Sequence, residues 1–429
     1  MSRAALGAAC LLPLLLAGCT ASSPSEDGAA DVTAPASEAP VGPPDEQSTA
    51  EPPADQTSPT MTATARASSP DSALDTAPTS ASSTSAARVT IGGTGDLLAH
   101  ESVIDSARVD TGESTAYDFS PMFAEVEGLL GEPDLSLCHL ETPLSPDNTS
   151  LSTTGGFTFN APYQLADAIA DAGWDGCEFA SNHTMDHGLV GLADTESLLR
   201  EAGLGYTGPT AYEKRAGIPA TYDVRGSQVA HLAYTYTYPN DGSPTTVVPP
   251  DAPWLERNLW PAVGADGIIE DSAKAREDGA DFVVVSMHWG QEYTTEPSEQ
   301  QRSMARDLLD SGDIDLILGT QVHVVQPCEK INGRYVFYGL GNFLSNQSPE
   351  TTGGTLRTET QEGMVAQIAL ERGTDGALRS TATYQPTRVD LDGHVVRPVS
   401  PDSATYRRTV AAVQLLGPDA CDARPRPRS

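Results

Sequence analysis

Six of the eight histidines in this chain sit at or beside the ends of short apolar runs, and carboxylates accompany them. Asp96 is followed by His100, and His139 precedes Glu141. Asn182 and His183 come before Asp186 and His187, His288 comes before Glu292, and His323 follows Gln321. Only His231 and His394 stand apart. Imidazole nitrogen and carboxylate oxygen together are the donors that divalent Zn, Mn or Fe accept, so the set reads as a metal site. Each residue alone has a plainer explanation: a structural histidine after a strand, Asp96 or Asn182 shaping a turn, Glu141 solvated before Pro143. Those explanations weaken jointly, because several separate strands would each have to end on His, Asp or Glu by chance.

The elements that must position these groups follow from periodicity. Residues 89–96, 134–141, 176–188 and 282–288 are apolar runs ending in polar side chains, and open α/β sheets place their chemistry at such strand ends. Helices are predicted over 120–130, with Ser120 as N-cap and Pro121 first, over 160–173, 189–202, 267–277 and 298–309. Residues 218–224 and 228–238 read as a hairpin around Arg225-Gly226-Ser227, and 315–319, 334–340, 363–370 and 380–389 as further strands. The Pro-rich run 239–261 reads as a loop that could cover a site. Helices interleaved with strands, then a strand-rich tail, predict an α/β sandwich of mixed β-sheets rather than a closed barrel.

The first nineteen residues have one positive charge, Arg3, an apolar stretch too short to span a bilayer, and Leu16-Ala17-Gly18-Cys19. They predict an export signal, and Cys19 resembles the lipidated cysteine of bacterial lipoproteins. Residues 20–87 are almost all Ala, Ser, Thr, Pro, Asp and Glu, too polar to offset the entropy of ordering, and predict a disordered tether. A folded domain is expected over 88–400, followed by a C-terminal helix and tail over 401–429. The net charge of -34, from 59 acidic and 25 basic residues, argues against nucleic acid as a partner. Once Cys10 leaves with the signal and Cys19 carries lipid, an even set remains: Cys138, Cys177, Cys328 and Cys421. In an exported chain these suit disulfides, Cys138 to Cys177 if their strands are neighbours and Cys328 to Cys421 at the tail.

The ordered motifs resemble a known family. Gly95-Asp96, His139-Leu140-Glu141-Thr142-Pro143-Leu144, Ser181-Asn182-His183 with Asp186 and Gly188, His288-Trp289-Gly290-Gln291-Glu292-Tyr293, Gly319-Thr320-Gln321-Val322-His323-Val324-Val325-Gln326-Pro327 and Tyr338-Gly339-Leu340-Gly341-Asn342-Phe343 are similar, in order, to those of the poly-γ-glutamate capsule biosynthesis CapA family. That family resembles the calcineurin-like metallophosphatases, which implies two sheets flanked by helices and a two-metal centre. By this resemblance Asp96, Glu141, Asn182, His288 and His323 would be metal ligands. His183 would be the acid, with Asp186 beside it, and His100, Glu292, Gln321 and Asn342 would meet substrate. His187 receives no role.

Three departures stand out. His139 replaces the family's usual Asn, Ser181 replaces another Asn, and Gln321 replaces a His. An amide is a weak, neutral ligand, so the last change implies one metal or a weakly held second. The sequence therefore predicts a lipid-anchored protein on the outer face of the bacterial cell membrane, using one or two divalent ions to hydrolyse an envelope polymer or phosphoester, within a capsule-synthesis complex. A non-catalytic export or anchoring protein and a peptidase or amidase on the same metals are the alternatives.

Overall fold

The computed structural model describes residues 86–427 apart from 111–114, 154–155 and 239–247. The expected signal, Cys19 and nearly all of the tether lie outside the described residues. Within them the chain builds four layers, and the reason is visible in single strands. Phe282–His288 is buried at every position. Its Phe282 and Val284 join one apolar cluster, while Val283, Val285 and Met287 join another. A strand apolar on both faces must be covered on both.

One face of that strand meets a second sheet. Val89, Ile91, Leu135 and Leu137 pack with Phe282, Val284, Leu316 and Leu318 to form the core between the sheets. Outside the first sheet lie the helices Gln164–Ala172 and Gly188–Glu201, contributing Leu165, Ile169, Leu192 and Leu199. Outside the second lie Trp260–Glu277 and Glu299–Asp310, contributing Ile268, Ala305, Leu308 and Leu309.

The first sheet runs Val395–Pro398, Leu378–Asp390, Glu362–Arg372, Ala87–Leu97, Leu135–Leu140, Gly176–Glu178, Gly205–Thr207. From Ala87–Leu97 onward its strands are parallel, and Glu362–Arg372 and Leu378–Asp390 are antiparallel. The second runs Cys328–Ile331, Arg334–Phe337, Leu316–Thr320, Phe282–His288, Ser227–Tyr234, Ala220–Val224, with a parallel centre and antiparallel edges. Parallel pairing carries the polar tips to common levels: Asp96 pairs with His139, His139 with Glu178, and His288 with Thr320. The mixed-sheet sandwich is thus the architecture. Disulfides join Cys138 to Cys177 and Cys328 to Cys421.

Several elements differ from expectation. Residues 120–130 form two short turns, Ser120–Phe123 and Glu127–Leu130, with Phe119 rather than Ser120 as N-cap. Phe123 and Val126 are both fully buried, and packing them overrides continuous helical propensity. Where it is described, the Pro-rich run is folded: Pro253–Asn258 is a 3₁₀ segment and a helix opens at Trp260, with Pro261 in its first turn. There proline opens a helix instead of marking a loop. The 176–188 stretch has only three strand residues, so Asn182 and His183 sit in turns beyond the strand. The strand expected over 334–340 stops at Phe337, and the chain then crosses to pair Asn342 with Asp96.

That crossing is very close. The Asp96 N–H donates to the Gly341 carbonyl at 3.0 Å, and a Cβ on Gly95 would lie 1.8 Å from the same oxygen. We therefore expect Gly95→Ala to destabilise the fold by about 3 kcal/mol, measured by chemical denaturation. A neutral effect would mean that the two segments can separate freely.

Candidate metal centre

Asp96 ends the Ala87–Leu97 strand and is fully buried. Its Oδ1 accepts from the Gln321 N–H at 3.2 Å, and its Oδ2 accepts from His323 Nδ1 at 3.0 Å. The same His323 nitrogen lies 3.1 Å from Asn342 Oδ1, so both neighbours require Nδ1 to carry the proton. His323 Nε2 then faces Glu141 Oε1 at 3.7 Å. Gln321 and His323 both adopt left-handed backbone, φ 87° and 57°, which is strained for side chains of this size.

Glu141 follows the Leu135–Leu140 strand, its backbone tied to Leu97 and Ser181. It is fully buried, and neither carboxylate oxygen has a hydrogen-bond partner. His139 Nδ1 is 2.5 Å from Glu178 Oε1, while its Nε2 has no hydrogen bond and lies 3.9 Å from Asp96 Oδ1. One donor atom each from Asp96, His139 and Glu141 lie within 4.8 Å of one another. Three buried groups that face each other with oxygen and imidazole donors, several of them orphaned, are what a divalent cation satisfies. The residues fit a metal.

Asn182 and His288 form a second cluster. His288 Nε2 is 3.0 Å from Asn182 Oδ1, its Nδ1 3.2 Å from Thr320 Oγ1, and its ring lies 4.8 Å from that of His139. The Gln321 backbone N–H bonds to Asp96, whereas its side-chain amide meets other groups. In the orientation that satisfies its surroundings, its nitrogen donates to the carbonyls of Trp289 and Gly290 at 2.8 and 2.9 Å. Asn342 spends its side chain on His323, Gln347 and Thr360, so it positions the site from behind.

His183 Nδ1 is 2.8 Å from Asp186 Oδ2, which also accepts from the Phe159 N–H at 2.6 Å. The Phe159 ring stands edge-on to His183 and His100, with centroids 4.5 and 5.2 Å away. His100 Nδ1 donates to the Leu98 carbonyl at 3.2 Å. Glu292 is half-buried next to Tyr293, whose ring flanks His323. His187 is the N-cap residue of Gly188–Glu201 without making a side-chain cap. Glu178 received no role from sequence; a carboxylate inside an apolar run was the signal available there, and its pairing with His139 follows only from the sheet register.

Burial sets the charge states. It pushes the Glu141 carboxyl up to about 7, with Asp96 adding to this and His323 and His139 opposing. Burial opposes charge on His139, but Glu178, Asp96 and Glu141 outweigh it and raise the ring to about 9. The same contest, won by Glu141 and Asp96, raises His323 to about 10. Burial, reinforced by His139, His323 and His183, keeps His288 neutral. A histidine whose folded pKa is raised stabilises the fold below about 6.5, and loses that contribution as pH rises through the folded value. We expect the melting temperature of chelator-treated protein to fall between pH 7 and 9. Added divalent metal should reverse the trend, because its ligands must be deprotonated. A melting temperature that rises with pH in chelator would contradict these charge states.

The profile of the family described as "Bacterial capsule synthesis protein PGA_cap" matches residues 90–347. Over 290 residues the chain is 26% identical to the "PGA biosynthesis protein CapA" of Bacillus subtilis (strain 168), covering 67% of this chain and 70% of that protein. Over 191 residues it is 30% identical to the "Capsule biosynthesis protein CapA" of Bacillus anthracis, covering 44% of each. Among solved structures it is similar to the calcineurin-like phosphoesterase YfkN from Bacillus subtilis, at 14% identity and a TM-score of 0.40, over 77% of this chain and 98% of that one. With the family profile matched across well over half of its length, this chain belongs to the bacterial capsule synthesis protein PGA_cap family.

Proposed function

We propose that the chain is a metal-dependent hydrolase that acts on phosphoester-type bonds while an envelope polymer is made, poly-γ-glutamate being the polymer its family implies. One observation carries this reading: Asp96, His139 and Glu141 converge in a buried space where both Glu141 oxygens and one His139 nitrogen have no hydrogen bond. Asp96, Glu141 and His323 would hold a divalent ion there, with Asn182 and His288 beside them. Such an ion supplies Lewis acidity and a water acidic enough to react near neutral pH.

The chain's own groups do the rest. Asp186 holds the Nδ1 proton of His183 and so makes Nε2 the nitrogen that exchanges a proton. His183 would protonate the departing oxygen, and the Phe159 ring packed against it would limit water at the imidazole. Tyr236, stacked 5.9 Å from His288, and Tyr293, 5.7 Å from His323, would wall the substrate in. His100 and Glu292 would meet its polar groups. We place the domain outside the cytoplasm, lipid-anchored through Cys19 on the outer face of the membrane, on the strength of the N-terminal residues. It would act there with other capsule-synthesis proteins.

The Gln321 side chain, donating to two backbone carbonyls, favours a second reading: a non-catalytic protein that supports polymer export with a reduced metal site. Metal analysis of purified protein, with hydrolysis assays on phosphoester and γ-glutamyl substrates, separates the two. We expect bound divalent metal, phosphoester cleavage, and a kcat lowered by about 10² to 10⁴ in His183→Ala. Protein that folds yet stays metal-free and inactive would sink the enzyme reading. Cleavage of γ-glutamyl bonds alone would redirect it to amidase chemistry.

A further inference from the structure

His139 was not among the expected ligands, yet its surroundings are built as for one. It is 1% exposed, and its Nδ1 lies 2.5 Å from Glu178 Oε1. Glu178, also 1% exposed, is held in turn: its Oε2 accepts from the Ala180 N–H at 2.7 Å. The contact is written into the sheet, where His139 and Glu178 are register partners on adjacent parallel strands. One residue earlier in each strand, the Cys138 to Cys177 disulfide locks the same register. A carboxylate so fixed keeps the proton on Nδ1, and the Nε2 lone pair is directed elsewhere.

That nitrogen has no hydrogen bond and sits 3.9 Å from Asp96 Oδ1, among the donors that converge within 4.8 Å. A histidine kept for structure alone would have both nitrogens satisfied, or would face apolar atoms. His231 makes the contrast: one of its nitrogens is also unpartnered, but no neighbouring charge acts on its ring. Meanwhile the Gln321 amide points at the Trp289 and Gly290 carbonyls. We infer that His139 is an inner ligand of the metal centre through Nε2, with Glu178 as the carboxylate that fixes its ring and tautomer. An imidazole from the first sheet thereby joins the centre, while the Gln321 amide is taken up by the Trp289 and Gly290 carbonyls. This rests on the metal-dependent reading and assigns part of its ligand set.

The test is Co(II) binding by the full chain, followed by titration calorimetry and by the Co(II) absorption spectrum, beside Asp96→Asn, His139→Asn and Glu178→Gln. His139→Asn should weaken binding by about 10 to 100-fold and change the visible bands, since a weak neutral amide oxygen replaces the imidazole nitrogen. Glu178→Gln keeps the shape of the side chain and should weaken binding by about 10 to 100-fold, the usual effect of losing a carboxylate that orients a ligating histidine. It also decides the matter where His139→Asn does not fold. If Asp96→Asn abolishes binding while both other variants keep wild-type affinity and spectrum, the assignment of His139 is overturned and the metal site stands. If wild-type protein binds no Co(II), Mn(II) or Zn(II), the metal-dependent reading falls and this inference with it.

Discussion

A carboxylate with no exposure and no hydrogen bond on either oxygen is the condition that governs this molecule. Taking one ion such as Glu141 out of water costs several kcal/mol unless opposite charge is close, and Asp96 is buried beside it. Two imidazoles approach the pair. His323 reaches it from the second sheet and His139 from the first, and each is pinned through Nδ1. Without a metal, protons on the two imidazoles offset the two carboxylates, and a divalent cation bound there would take the place of those protons.

Meeting that condition constrains both sheets. Asp96 has to stand at the end of the Ala87–Leu97 strand while the chain from Gly339 to Asn342 crosses against it, which leaves no volume for a Cβ at Gly95. The loop after Leu316–Thr320 must bend sharply to bring both the Gln321 N–H and the His323 ring onto one carboxylate. It does so with two consecutive odd positions in the left-handed region, a strain offset by those hydrogen bonds. Such residues mark where the fold gives up local comfort for the site. The His183 and Asp186 pair, by contrast, sits in turns beyond a three-residue strand, held by short-range contacts and by Phe159.

The candidate site was readable in the sequence where residue type alone carries the chemistry. Asp96, Glu141 and His323 are assembled by the fold, and Asn182 pairs with His288 as near neighbours. Glu178 and the directed Nε2 of His139 were not readable, because both depend on which strands are adjacent and in what register. Gln321 was legible as an amide in place of an imidazole, but its direction, toward two backbone carbonyls, was not. Asn342, within the last of the family-like motifs, was expected to meet substrate; it is buried and its side chain is taken up by His323, Gln347 and Thr360.

By itself the sequence determined most of the elements whose periodicity is strong, the apolar strands and the amphipathic helices between them, and the mixed-sheet sandwich they imply. It pointed to the family as well, through ordered motifs that resemble the family's own. Local periodicity could not determine where Ser120 to Leu130 breaks, or that the Pro-rich run near Trp260 folds into helix, because burial of Val126 and of Trp260 against distant strands decides both. Nor could it determine the site's geometry. Coordination, orphaned atoms and the orienting carboxylate are properties of side chains from different strands, and only the packed sheets bring them within bonding distance.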